Sequence, residues 1–258
     1  ADGPEPDLGT VQPRGPETRI LVEPGVQSSI TLGYVRAPDR DPDSVAERRD
    51  DLIRGLGLAV LSRRLGEIAR SDDPPFISAS ASEGDLFDSI GSASVSASFN
   101  PGEWKRALET IEQEQRRIVQ YGVTEAELQR EITGIRTSLE NSVAAAATRR
   151  TPQLAAGLVG SVNSGTVFNT PQTSLELFNA AVEGLTAEQV NAVLPQVFAG
   201  EGPLALFVSP VEVEGGEDAV TAALEASRQT PVAAPATHAE LEWPYVSFGT
   251  PGAVQERR

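Results

Sequence analysis

Two neighbouring stretches confine this chain to folds with a β-layer that something else must cover. FISASAS (76–82) and SIGSASVSASF (89–99) alternate residue by residue, which is the period of a strand. With EGDLFD as the turn between them, they read as a β-hairpin. Their side chains are unusually small, mostly Ser and Ala. Such strands bury little apolar surface by themselves. A helical layer must therefore supply the core on one face, which leaves the other free to lie against another chain.

The rest of the sequence provides those helices. ETRILVE (17–23) and SSITLGYVR (28–36) are further strand candidates. From Asp43 or Ser44 to Ala69 the apolar positions recur at helical spacing: Val45, Leu52, Ile53, Leu56, Val60, Leu61, Leu65 and Ile68. Gly55, Gly57 and Gly66 inside that helix suggest close packing on a sheet. A second helix follows Pro101, with Trp104, Leu108, Ile111, Ile118 and Val119 as its stripe. A third helix is predicted with Leu128, Ile132, Ile135, Leu139 and Val143 as its stripe, interrupted by ATRRTPQ. Further helical segments are predicted over 152–163, 171–182, 187–199 and 216–227, and PLALFVS (203–209) is a last strand. The order β-β-α-β-β-α-α-α-α-α-β-α implies an α+β fold with one mostly antiparallel sheet covered by long helices. It lacks the repeated crossovers of a dinucleotide-binding fold.

One local pattern occurs twice. YGVTEAELQREI (121–132) and EGLTAEQVNAVL (183–194) both read Gly, an apolar residue, Thr, then Glu or Gln three residues on. Thr124 with Glu127 and Thr186 with Gln189 fit the capping box, in which each side chain bonds the other residue's backbone N–H. Val123 and Leu185 precede the caps, and Leu128 and Val190 follow a turn later, as a hydrophobic staple requires. Gly122 and Gly184 fit the ends of preceding helices. Each stretch is thus a helix–Gly–helix joint.

Chemistry is sparse. A net charge of −16 over 258 residues argues against nucleic acid and anionic membranes, and leaves neutral or basic peptides as ligands. There is no Cys and no run of 18 apolar residues. The single His, His238, sits among Ala, Pro and Thr and reads as a surface linker residue, so neither a zinc motif nor a Ser–His–Asp triad can be assembled. Lys105 is the only Lys and lies on a polar helix face. Asp39, Asp41 and Asp43 begin like a calcium loop. Ser44 stands where Gly is wanted, Asp50 where Glu is wanted, and Pro42 intervenes, so they read as a turn before a helix. GLGLAV (55–60) lies inside a helix with no strand before it, which is no nucleotide site. The Ala-, Gly-, Pro- and Arg-rich composition suits a GC-rich bacterial genome. The Pro-rich polar ends, 1–16 and 229–258, read as linkers around one domain at 17–228.

ERRDDLIRGLGLAVLSRRLGEIARSDDPPF, the strands after it, then RALETIEQEQRRIVQYGVTEAELQREITGIRTSLENS, and finally GLTAEQVNAVL and PLALFVSP resemble the insulinase- and pitrilysin-like zinc peptidases, the inverted zincins of M16 type. The resemblance spans about residues 17–228. It implies paired homologous α+β domains, of which one carries zinc on H-x-x-E-H and others lack zinc and help enclose the peptide. This chain has no such motif, and Tyr34, Tyr121 and Tyr245 match no substrate-binding motif, so no catalytic or metal residue carries over. The implied role is a non-catalytic, peptide-enclosing domain of a bacterial zinc metalloendopeptidase. Its partners would be a catalytic domain or subunit holding the zinc, and a peptide substrate. Residues 1–16 would lead from a preceding domain and 229–258 toward a following one. The bacterial members suggest the periplasm. Ser78, Ser80 and Ser82 are the expected peptide-facing residues, on the edge of the 76–82 strand. Two rival readings remain open: a degenerate scaffold or partner-binding domain without proteolytic role, and an unrelated helical binding domain.

Overall fold

A computed structural model describes residues 9–86 and 89–235. His238, Tyr245 and most of the two expected linkers lie outside the described residues. The elements are β1 (Glu17–Val22), β2 (Ser29–Arg36), α1 (Val45–Ile68), β3 (Ser78–Leu86), β4 (Ile90–Ser98), α2 (Trp104–Tyr121), α3 (Glu125–Ala144), α4 (Thr151–Asn163), α5 (Pro171–Val182), α6 (Ala187–Val197), β5 (Glu201–Ser209) and α7 (Gly216–Gln229). This is the expected order. One boundary differs: β3 continues to Leu86, through much of the stretch expected to be a turn. Glu83 explains the extension, because its carboxylate pairs with Arg36 of β2 and Arg54 of α1, both 3.3 Å away.

The five strands form one sheet in the order β1-β5-β2-β4-β3. Only the β1–β5 pair is parallel. One face is the core. Ile30 and Leu32 of β2, Ala93, Val95 and Ala97 of β4, and Ala205 and Phe207 of β5 are all buried. They lie in a cluster with Leu58, Leu61 and Leu65 of α1 and Ala107, Leu108 and Ile111 of α2. The small strand residues are therefore matched by bulky helix residues, as close packing requires. Phe207 meets Phe99 and Trp104 edge-on, with centroids 5.5 and 5.9 Å apart.

The two capping motifs answer each other in space. Both capping boxes form. Asn191, in the second motif, accepts from the Val123 N–H at 2.7 Å and donates to the Val123 carbonyl at 3.2 Å. Glu125, in the first, accepts from the Ala187 N–H at the start of α6 at 3.0 Å. Gly122 is obligatory at this crossing. Its φ is 72°, and a Cβ there would lie 2.3 Å from the Asn191 amide. Glu127 does more than cap α3. Arg64 of α1, itself buried, donates to its two carboxylate oxygens at 2.7 and 2.8 Å and to the Gly122 carbonyl at 3.0 Å. The doubled motif thus locks α1, α2, α3 and α6 into one layer.

The glycines of α1 do not face the sheet as expected. A Cβ on Gly57 would lie 2.6 Å from Leu194 of α6, so that glycine admits a helix, not a strand. Gly55 has nothing within 4 Å of its Cβ position, and Gly66 meets only the Arg70 guanidinium.

Candidate functional site

Among the described residues, no helix packs on the middle of the opposite face of the sheet. That face is organised in rows that cross all five strands. Strand register aligns Leu21, Val208, Ser29, Ser98 and Ser78 in one row. It aligns Arg19, Leu206, Thr31, Ser96 and Ser80 in the next, and Glu17, Leu204, Gly33, Ser94 and Ser82 in a third. At ordinary strand spacing each row is about 19 Å long. The β1–β5 end is apolar with an ionic fringe, since Leu21 and Leu206 are exposed there. The β4–β3 end is a floor of hydroxyls.

This places Ser78, Ser80 and Ser82 side by side on the open face, all exposed. Two of the three hydroxyls join cross-strand partners: Ser78 with Ser98 at 2.8 Å and Ser82 with Ser94 at 3.3 Å. Thr31 and Ser96 continue the pattern at 2.9 Å. Each hydroxyl keeps a lone pair or a proton for a ligand, because one donor and two acceptor positions are present on each. A floor of such short side chains lets a backbone approach closely, and an extended peptide is the ligand whose backbone groups match it.

The edge of β3 is less accessible than its face. Ser62 of α1 accepts from the Ala81 N–H at 3.0 Å and donates to the Ala81 carbonyl at 3.2 Å. Those backbone groups are the ones an added strand would need, so α1 closes the middle of this edge. The serines remain reachable from the open face. What sequence reasoning missed is the apolar half of the site. Leu21, Leu204, Leu206 and Val208 acquire their shared face only because β5 inserts between β1 and β2, a non-local pairing with no local signal.

Zinc needs three or four His, Cys or carboxylate donors converging on a point, and among the described residues no group of three or more such side chains converges. The donor set of the described residues does not fit the ion. The Asp39–Asp41–Asp43 turn is also taken up internally. Asp39 accepts from the Asp41 N–H at 2.9 Å. Arg48 donates to both oxygens of Asp43, and the Val167 N–H donates to one of them at 2.7 Å. These donors hold the Asp43 carboxyl down at about 2. Ser44, next in sequence, caps α1.

No family sequence profile matches the chain, and no curated protein matches it. Solved structures do. The periplasmic protease PqqL of Escherichia coli superposes with a TM-score of 0.75 at 17 % identity over 86 % of this chain and 25 % of PqqL. The separately solved first half of PqqL gives the same score, with 49 % of that half covered. The ferredoxin protease FusC, solved in complex with Arabidopsis ferredoxin, gives 0.66 at 16 % identity over 91 % of this chain and 26 % of FusC. A peptidase M16 inactive domain from Pseudomonas fluorescens gives 0.55 at 16 % identity, covering 79 % of this chain and 45 % of that one. The chain therefore has the α+β fold of the insulinase-like M16 peptidases. It spans between a quarter and a half of the solved chains it matches.

Proposed function

We propose that this chain is a non-catalytic, peptide-enclosing domain of a bacterial zinc metalloendopeptidase, with its open sheet face turned toward the peptide. The observation that carries the reading is the uncovered hydroxyl floor on a domain of peptidase fold whose described side chains do not fit a metal. In the intact enzyme a separate catalytic domain or subunit holds the zinc and cleaves the bond. This domain contributes binding. Its serine and threonine hydroxyls take the backbone of an extended substrate. Leu21 and Leu206 take apolar side chains, and the carboxylate-rich surface favours neutral or basic peptides. The periplasm is the compartment this reading favours, in line with the location in PqqL's name.

Ser80 gives the test, because it is exposed and its hydroxyl makes no side-chain hydrogen bond among the described residues. In the intact enzyme Ser80→Trp fills the middle row of the floor. The KM for an unstructured peptide should rise about tenfold, equivalent to about 1.4 kcal/mol of lost binding, with kcat little changed. An unchanged KM refutes the peptide-facing role and favours the scaffold reading. Chelator-sensitive proteolysis by the pure isolated chain would refute the non-catalytic assignment.

A further inference from the structure

The segment from Val143 to Phe168 is poorly packed against the body. Helix α4 lies at its centre and has no fully buried residue. Its half-buried positions, Leu154, Gly157 and Ser161, recur at helical spacing and form one narrow stripe. Phe168 packs there, since a Cβ on Gly157 would lie 3.0 Å from its ring. The outer face is apolar. Leu158, Val159 and Val162 are 49, 59 and 79 % exposed, and Val167 at the foot of the segment is 64 % exposed. Single exposed aliphatics are ordinary, but four within ten residues on one projecting element form a patch.

Charge sets the same segment apart. Residues 141–175 contain no Asp or Glu in a chain that has 37, and they carry Arg149 and Arg150. The patch is also held in place. Arg48 donates to the Val167 carbonyl at 2.8 Å, and Asp43 takes the Val167 N–H, so the foot of the segment is tied to the start of α1.

We infer that α4 and its flanks are the seat of the neighbouring peptidase domain. Leu158, Val159 and Val162 enter an apolar groove on that domain, and Arg149 and Arg150 meet carboxylates on its rim. This rests on the multidomain reading proposed above. The choice of occupant follows from the matched structures. The chain accounts for 49 % of the first half of PqqL, so a second body of similar size belongs to that half beside this fold. Interfaces between domains of one chain are mixed apolar and polar, typically about 600–1,500 Å², and a segment bearing four exposed aliphatics, three of them on α4, and two guanidinium groups before that helix suits one. A second copy of this chain is a poorer occupant, because two bodies of charge −16 repel each other at long range.

Hydrogen exchange tests the inference without reference to proteolysis. The amides of residues 154–163 are followed in the isolated chain and in the natural multidomain protein. They should exchange about tenfold or more slowly in the multidomain protein. Leu158→Asp with Val162→Asp in that protein should restore the isolated-chain rate, while the circular dichroism and Tm of the isolated chain stay unchanged by the same pair. Equal rates in both samples overturn the inference. So does a concentration-dependent dimer of the isolated chain that the Asp pair abolishes, since a second copy would then be the occupant. Peptide hydrolysis in the same samples separates the two proposals. Slowed exchange with hydrolysis insensitive to Ser80→Trp removes the peptide-facing role and keeps this interface, and the converse removes only the interface.

Discussion

Gly122→Ala is the sharpest test of how the two capping motifs hold the helical layer together. At φ 72° and ψ −164° the residue sits in a region that is essentially glycine's own, where another residue costs about 1–3 kcal/mol in strain. The new methyl would also fall 2.3 Å from the Asn191 amide, which must swing away. That breaks both of its bonds to Val123, a buried residue. An unsatisfied buried backbone group adds about 1–3 kcal/mol. The two effects together predict a loss of about 2–6 kcal/mol, or a Tm lower by about 4–24 °C. Urea unfolding of the isolated chain reads the loss directly. Gly134→Ala is the control, since Gly134 lies in α3 with nothing within 4 Å of its Cβ position. It should leave stability unchanged or raise it by up to about 1 kcal/mol. In an Asn191→Ala background there is no amide to displace, so Gly122→Ala should cost only its backbone strain. Refutation would be a loss below about 1 kcal/mol, or costs of the two substitutions that simply add.

Glu127→Ala leaves the buried Arg64 without its half-buried carboxylate partner and should destabilise by up to about 3 kcal/mol in urea unfolding. Replacing both with apolar residues, Arg64→Met with Glu127→Leu, should recover part of that loss, the more so because Arg64 Nη1 has no partner among the described residues. Phe207→Ala removes the ring at the junction of Phe99 and Trp104, and should cost about 3–5 kcal/mol with an unfolding midpoint to match. Asp43 fixes an acid limit. Its folded pKa of about 2 lies below its ordinary 3.8, so its stabilisation is fully present above pH 3.8 and is lost as pH falls through about 2. Asp43→Asn should therefore flatten the stability profile between pH 4 and 2, and a profile parallel to the wild type's would refute the tie to Arg48 and Val167.

The sequence shows whatever is encoded locally. Capping boxes at Thr124 and Thr186 form as written, because both partners of each bond lie three residues apart. The alternation of 89–99 marks its own buried face, since Ala93, Val95 and Ala97 each need a covering layer. Non-local facts are not legible in this way. Nothing near Gly57 says that its neighbour is Leu194, and nothing in 76–88 says that Glu83 finds Arg36 and Arg54 and so prolongs β3. The same limit applies to the candidate site. The serines of β3 stand out by composition, whereas Ser62 closing the edge at Ala81 and Leu206 completing the opposite end depend on tertiary pairing.

The central claim, that the open sheet face meets peptide, is tested most directly by a photocrosslink. The chain has no Cys, so Ser80→Cys provides a unique thiol for a benzophenone label. Glu188→Cys, exposed on α6 away from the sheet, is the control. Both labelled forms of the intact protein would be irradiated with an unstructured, weakly basic peptide, and the adducts mapped by mass spectrometry. The account predicts peptide adducts at position 80 and only background at position 188. Equal labelling at the two positions, or none at position 80, would contradict it.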